Sequence, residues 1–266
     1  MTKTKKRSRN RAKAYYKRVD KRGTIYVWGM NYPTKITKES IEEAYRDCGT
    51  EKYNKAYYAN KLNEGKGKPG SDCSGMHYAI SGTDTTANGY YHNHCTETGK
   101  MDTLPINDIV VLFRGYYETK TEKKPDGTIE KTEVFVANHT GTYYGNGLCI
   151  HMKSSKDNCV TESVDNHNWT EWGRPDFIDY STSFKKSKPV FTRTMKKGDK
   201  GVDVKFLQVL LAEKGYSCGS VDGIFGDMTR EAVLKFQKSK NITADGVVFE
   251  VTAKKLGFNC TWYKKG

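Results

Sequence analysis

Three side chains in this sequence have the chemistry and spacing of an acyl-transfer site. Cys73 stands in Ser71-Asp72-Cys73-Ser74-Gly75, directly after the glycine- and lysine-rich loop Gly65–Gly70. A thiolate attacks carbonyl carbon well, but it needs a base within hydrogen-bond reach and a third group to orient that base. His139 and His151 offer both. They fall on two runs, His139–Tyr144 and Leu148–Met152, that read as neighbouring strands joined at the turn signal Gly145-Asn146-Gly147. Antiparallel pairing brings such positions side by side, giving Cys–His–His in chain order. The residues after Cys73 read as one or two helical turns. That predicts a thiol at a helix N-terminus, where unpaired N–H groups lower its pKa and can hold an oxyanion. A second cluster, His92-Asn93-His94-Cys95, is too tight in sequence to surround one zinc ion and has no fourth ligand nearby. No metal and no cofactor are expected.

These residues need a scaffold, and the pattern supplies one. Ala12, Tyr15, Tyr16 and Val19 recur at helical spacing within Arg9–Arg22, and a short extended run, Thr24–Trp28, follows Gly23. Helices are predicted over Thr37–Asp47 and Glu51–Leu62, so residues 31–70 read as an inserted helical segment. Strand signals then dominate: Ile109–Phe113, Thr132–Ala137, and the two runs that carry the histidines. Helices before a run of antiparallel strands predict an α+β domain over residues 1–180. Residues 181–189 are a polar linker. Residues 190–266 hold three short helical patterns and two Asp-Gly turns, a small helical module.

Composition narrows the classes of function. The chain has 266 residues, a net charge of +14 and a mean hydropathy of −0.79, and no apolar stretch of membrane-spanning length. Residues 1–22 carry +10 and residues 190–266 carry +6, while the body between them is at −2. Basic ends favour polyanions: nucleic acid, anionic lipid or the acidic polymers of a cell wall. Seven scattered cysteines without a CxxC pair argue against a disulfide scaffold or a zinc ribbon.

The motifs together resemble a known family. Tyr26-Val-Trp-Gly29, Asp72-Cys73-Ser74-Gly75 and His139-Thr-Gly-Thr-Tyr-Tyr-Gly-Asn-Gly-Leu-Cys-Ile-His151 resemble the NlpC/P60 cell-wall cysteine peptidases, over about residues 10–180. Pro105–Phe113 falls where that family has a Pro-Gly-Asp strand entry. The resemblance implies a papain-like α+β fold, with Cys73 as nucleophile, His139 as base and His151 as orienting member. It makes Tyr26 a group at the oxyanion site and places Asp72 and Ser74 at positions that contact the stem peptide in some relatives. Met30 replaces a common second glycine, and residues 31–70 and 115–132 are longer than in compact members. Those insertions look most like the lysins of phages of clostridia-like bacteria.

The C-terminal stretch has its own resemblance. Lys197–Gln208, Val221–Gly226, Thr229–Gln237 and Ala244–Gly246 are similar, segment by segment, to the three-helix peptidoglycan-binding domain. The expectation is a monomeric, endolysin-like hydrolase that cuts an amide bond of the wall stem peptide. Its partner is peptidoglycan, reached without nucleic acid or membrane insertion. The alternatives are an N-acetylmuramoyl-L-alanine amidase on the same fold and a catalytically silent wall-binding protein. With no signal peptide in the sequence, synthesis in the cytoplasm and release at host lysis are expected. The linker is expected to act as a tether that raises local substrate concentration.

Overall fold

The computed structural model describes residues 6–261. The first part runs β1 (Arg7–Ser8), α1 (Arg9–Lys21), β2 (Ile25–Tyr26), α2 (Lys38–Cys48), α3 (Lys55–Gly65), β3 (Gly70–Ser71), α4 (Tyr78–Ser81) and α5 (Ala87–His94). Strands follow: β4 (Cys95–Lys100), β5 (Val110–Lys123), β6 (Ile129–Tyr143), β7 (Leu148–Ser154), β8 (Asn158–Ser163), β9 (Glu171–Pro175) and β10 (Ile178–Asp179). Three helices close the described chain: α6 (Val202–Glu213), α7 (Asp227–Ser239) and α8 (Glu250–Leu256). An α+β domain is followed by a small all-α module, as the patterning indicated. None of the helices among the described residues is long and apolar enough to cross a membrane.

Local chemistry sets the helix starts. At α2 the Thr37 hydroxyl accepts the Ser40 N–H at 3.2 Å and the Ser40 hydroxyl accepts the Thr37 N–H at 2.9 Å, a reciprocal cap. The next helix begins at Lys55 rather than Glu51, because the Asn54 side chain accepts the N–H groups of Ala56 and Tyr57 at 3.1 and 3.2 Å. On α1, Ala12, Tyr16 and Val19 are buried, as their spacing requires, and Lys13 is buried with them.

The main sheet has the order β4-β9-β5-β6-β7-β8, with every neighbouring pair antiparallel. The two runs read separately at 132–137 and 139–144 form one strand, β6. Its register against β5 shifts between Arg114 and Gly115, so Asn138 bulges directly before His139. Bulges re-aim the side chains beside them.

The apolar run Ile109–Phe113 explains how the sheet is covered. Ile109, Val111 and Phe113 join the cluster that holds Tyr16, Met76 and Ile150, whereas Val110 and Leu112 join one that holds Tyr143, Cys149 and Trp172. An unbroken apolar run is the mark of a strand buried on both faces. The second cluster continues without a break into Phe191, Val204, Phe206 and Leu207, so the C-terminal module packs on the sheet. Residues 181–189, read as a free spacer, lie along α1. Arg9 donates to the Thr182 carbonyl, Lys13 Nζ reaches Ser187 Oγ at 2.8 Å, and the Lys185 N–H meets Asn10 at 3.2 Å.

The module is built from one device used twice. Gln208 Nε2 donates toward Asp222 Oδ1, the Ile224 carbonyl and Thr229 Oγ1 at 2.9, 3.1 and 3.3 Å, while its Oε1 accepts the Gly223 N–H at 2.8 Å. Gln237 repeats this with Asp245, Val247 and Thr252 at 2.9, 2.9 and 3.2 Å, and accepts the Gly246 N–H at 2.9 Å. Each glutamine joins its helix to the following Asp-Gly turn and to a threonine of the next helix.

Candidate active site

Cys73 follows β3, which pairs in parallel with β2 so that Tyr26 stands beside Ser71. Asp72 locks this junction. Its Oδ2 accepts the Gly29 N–H at 3.0 Å, and its Oδ1 accepts the Gly75 N–H at 2.7 Å and the Ser74 hydroxyl at 3.1 Å. Gly75 is required here, since a Cβ would lie 2.2 Å from the Met30 carbonyl oxygen. The polar atoms of Asp72 and Ser74 are thus engaged within the loop that presents Cys73.

The thiol is not activated as the helix-terminus argument predicted. Burial and then the neighbouring Asp72 carboxylate push Cys73 up to about 12, and main-chain groups of Thr140, Ser74 and Cys73 itself only partly offset them. The helical stretch after it, a 3-10 turn at Gly75–His77 that runs into α4 and ends at Ser81, is too short to carry a useful dipole. Desolvation outweighs it. Tyr26 lies in the same field. Burial first, then Cys73, Tyr53 and Asp72, raise its phenol far above the usual range, so it remains a protonated donor.

A main-chain group of Thr140 reaches the Cys73 sulfur, which sets Cys73 against β6. Pairing of Thr142 with Ile150 and of Tyr143 with Cys149 puts His151 opposite Gly141, two residues from His139 on the same face. His139 Nε2 and His151 Nδ1 are 2.9 Å apart, and His151 Nε2 lies 2.9 Å from Glu162 Oε1. A carboxylate only accepts, so His151 carries its proton on Nε2 and presents a lone pair at Nδ1. His139 then donates from Nε2, which leaves its Nδ1 as the basic nitrogen. Burial, followed by His151, Arg114 and His167, lowers His139 well below its ordinary value. Burial also lowers His151, against the pull of Glu162. Both rings are neutral at pH 7.

Trp169 stacks on His139 with centroids 5.6 Å apart and planes at 15°. The stack needs Gly141, where a Cβ would come within 2.7 Å of the indole. Beside it, His167 completes a group of three imidazoles, one ring nitrogen from each lying within 4.8 Å of the others. Three nitrogens suit zinc with an open fourth position, and Glu162 is a fitting outer partner for His151. Arg114 opposes that fit. Its Nη1 lies 3.3 Å from His167 Nε2 and takes up that lone pair, and its charge helps to lower all three rings. Burial leads in bringing His167 down to about 4.

Comparison with known proteins bears on the other end of the chain. Residues 200–256 match the family model described as "Putative peptidoglycan binding domain". The match spans the three helices of the C-terminal module. Among solved structures, the chain is 33% identical to the SleB N-terminal domain, covering 25% of this chain and 92% of that one, with a TM-score of 0.25. It is 38% identical to an endolysin of Burkholderia AP3 phage, over 24% of each chain, with a TM-score of 0.23. A fused Zn-dependent amidase/peptidase/peptidoglycan-binding protein from Clostridium acetobutylicum is also 38% identical, over 27% of this chain and 32% of that one, with a TM-score of 0.24. The chain therefore spans about a quarter to a third of those last two proteins.

Several residues around the histidines were not revealed by motif spacing. Glu162, Arg114 and His167 reach the histidines from β8, β5 and the loop before β9. His77 is also missed. It is fully buried between Tyr16 Oη at 2.7 Å and Thr140 Oγ1 at 3.2 Å, tying α1 to the strand of His139. The His92–Cys95 cluster disperses, with His92 on the Phe135 carbonyl at 2.8 Å and His94 on Asp176 at 3.3 Å.

Proposed function

We propose that this chain is a peptidoglycan hydrolase that cuts an amide bond in the stem peptide or at its junction with the glycan. The observation that carries this is the buried, hydrogen-bonded series His139–His151–Glu162, on a chain whose residues 200–256 match a peptidoglycan-binding family model. The resemblance of the Tyr26, Cys73 and His139 motifs to NlpC/P60 enzymes supports the thiol form of the mechanism. In it, His139 Nδ1 takes the Cys73 proton as sulfur attacks the carbonyl carbon, because a thiol held near 12 is not ionised beforehand. The Tyr26 hydroxyl donates to the developing oxyanion. His139 returns the proton to the leaving amine, then activates the water that releases the acyl group. His151 and Glu162 hold the ring and spread the transient positive charge.

A metal-dependent amidase is the second reading, favoured by the three-imidazole group. There His139, His151 and His167 would hold the ion, which supplies a water of lowered pKa.

One experiment separates the two, with release of soluble muropeptides from purified sacculi as the readout. In the thiol form, Cys73→Ala lowers the rate at least about a thousandfold with the fold unchanged, and chelators do nothing. Full activity of Cys73→Ala, combined with loss on chelation and rescue by zinc, moves the assignment to the metal form. No release from any sacculus, by a folded wild-type chain with or without zinc, overturns both.

A further inference from the structure

Between the peptidoglycan-binding module and the sheet domain lies a cleft of about 370 Å³. Asp102, His167 and Trp169 line one side, and Lys200, Asp222 and Ile224 of the module line the other. His167 belongs to the imidazole group around His139, so the cleft borders that group.

Its width is set by packing. The apolar cluster under the sheet continues into the module. Asp165, in the loop leading to His167, accepts the first N–H groups of α6, from Val202 at 2.8 Å and Asp203 at 3.2 Å. Lys205 of the same helix donates to the Asp102 carbonyl. Retaining an enzyme near its substrate by a tether requires none of these contacts, and a module that only tethered would leave the cleft undefined.

The walls suit an amphipathic, acidic ligand. Ile224, 44% exposed, offers apolar surface for a sugar face or an alkyl side chain, above the buried ring of Trp169. Lys200 is an exposed cation with room for a peptide carboxylate. The Gln208 bonds hold Asp222 and the Ile224 carbonyl, so this wall is rigid. The twin turn at Asp245–Val247 is braced alike but lies outside the cleft, with Phe249 and Val251 exposed beside it.

We propose that the peptidoglycan-binding module forms one wall of the substrate cleft, so that a single disaccharide-peptide unit is gripped by the Ile224 turn and by Lys200 while its amide is cut. This rests on the hydrolase reading of the site.

The test uses a soluble disaccharide-tetrapeptide, which a tether cannot concentrate. Binding is measured by calorimetry on the full chain carrying His139→Ala, silent in either mechanism, and turnover on chains with His139 intact. Lys200→Glu and Ile224→Asp should each weaken binding about tenfold and lower kcat/KM equally. Val251→Asp should change neither by more than about twofold, and Lys200→Ala with an unaltered melting curve guards against misfolding. Unchanged affinity in both cleft variants, or no binding of the fragment by the parent chain at millimolar concentration, overturns the proposal. If the intact chain hydrolyses nothing while the cleft variants still lose affinity, the hydrolase reading falls and the shared cleft stands.

Discussion

The molecule contains two kinds of buried polar network, and they differ in what they leave over. In the C-terminal helical module, Gln208 and Gln237 each satisfy a turn and a helix start with the same set of partners. Their amides cannot exchange protons with those partners. Under the sheet domain the partners are unlike one another, namely two imidazoles and a carboxylate, and each bond can transfer a proton. That network ends in a basic nitrogen, Nδ1 of His139. A repeated, closed network stabilises a fold, while an unrepeated one that ends in an unused lone pair is equipped for chemistry.

Substitutions along the histidine series should break this contrast most strongly. His139→Ala should lower muropeptide release at least about a thousandfold, and His151→Ala roughly a hundredfold. His151→Gln should recover part of that loss, because an amide oxygen can accept from His139. Glu162→Gln removes charge but keeps an acceptor, and a loss of about tenfold is expected. Equal, small losses for all four variants would mean that the network is structural, like its counterpart in the module.

A smaller effect, on stability rather than rate, should come from the braces. Gln208→Ala and Gln237→Ala each strand buried donors and acceptors, at a cost of about 1–3 kcal/mol read from denaturant midpoints. The two costs should match if the repetition is energetic as well as geometric. A cost for only one of them would show that the turns are not equivalent.

The smallest effect concerns the thiol. With Cys73 raised by burial and Asp72, its alkylation by iodoacetamide should be slow at pH 7 and still climbing beyond pH 9. A rate that levels off below pH 7 would reveal a preformed thiolate–imidazolium pair and contradict the neutral His139 described above.

How much of this was readable from sequence depends on what fixes each position. Cys73, His139 and His151 stand in motifs whose glycines have steric work, Gly75 against Met30 and Gly141 against Trp169. Motif spacing therefore reports them. Glu162, Arg114 and His167 arrive through strand register and a loop, which leave no local trace. The thiol's pKa was misjudged because desolvation depends on tertiary burial, not on the short helix that follows. Residues 181–189 looked like a spacer because they are polar, yet α1 offers hydrogen bonds along their length. The run Ile109–Phe113 did hold the missing information. Five consecutive apolar residues require a second covering layer, and the module provides it.

The clasp at α1 also constrains when the protein can finish folding. β1 pairs with β10, and Arg9 bonds to Thr182, 173 residues later in the chain. At a synthesis rate of about 5–20 residues per second, α1 waits roughly 10–30 s for those partners. By then translation has nearly reached the first residues of the helical module, whose side chains cover the other face of the sheet. The sheet domain thus secures its first helix only after β10 and the segment behind it have emerged, late in its own synthesis.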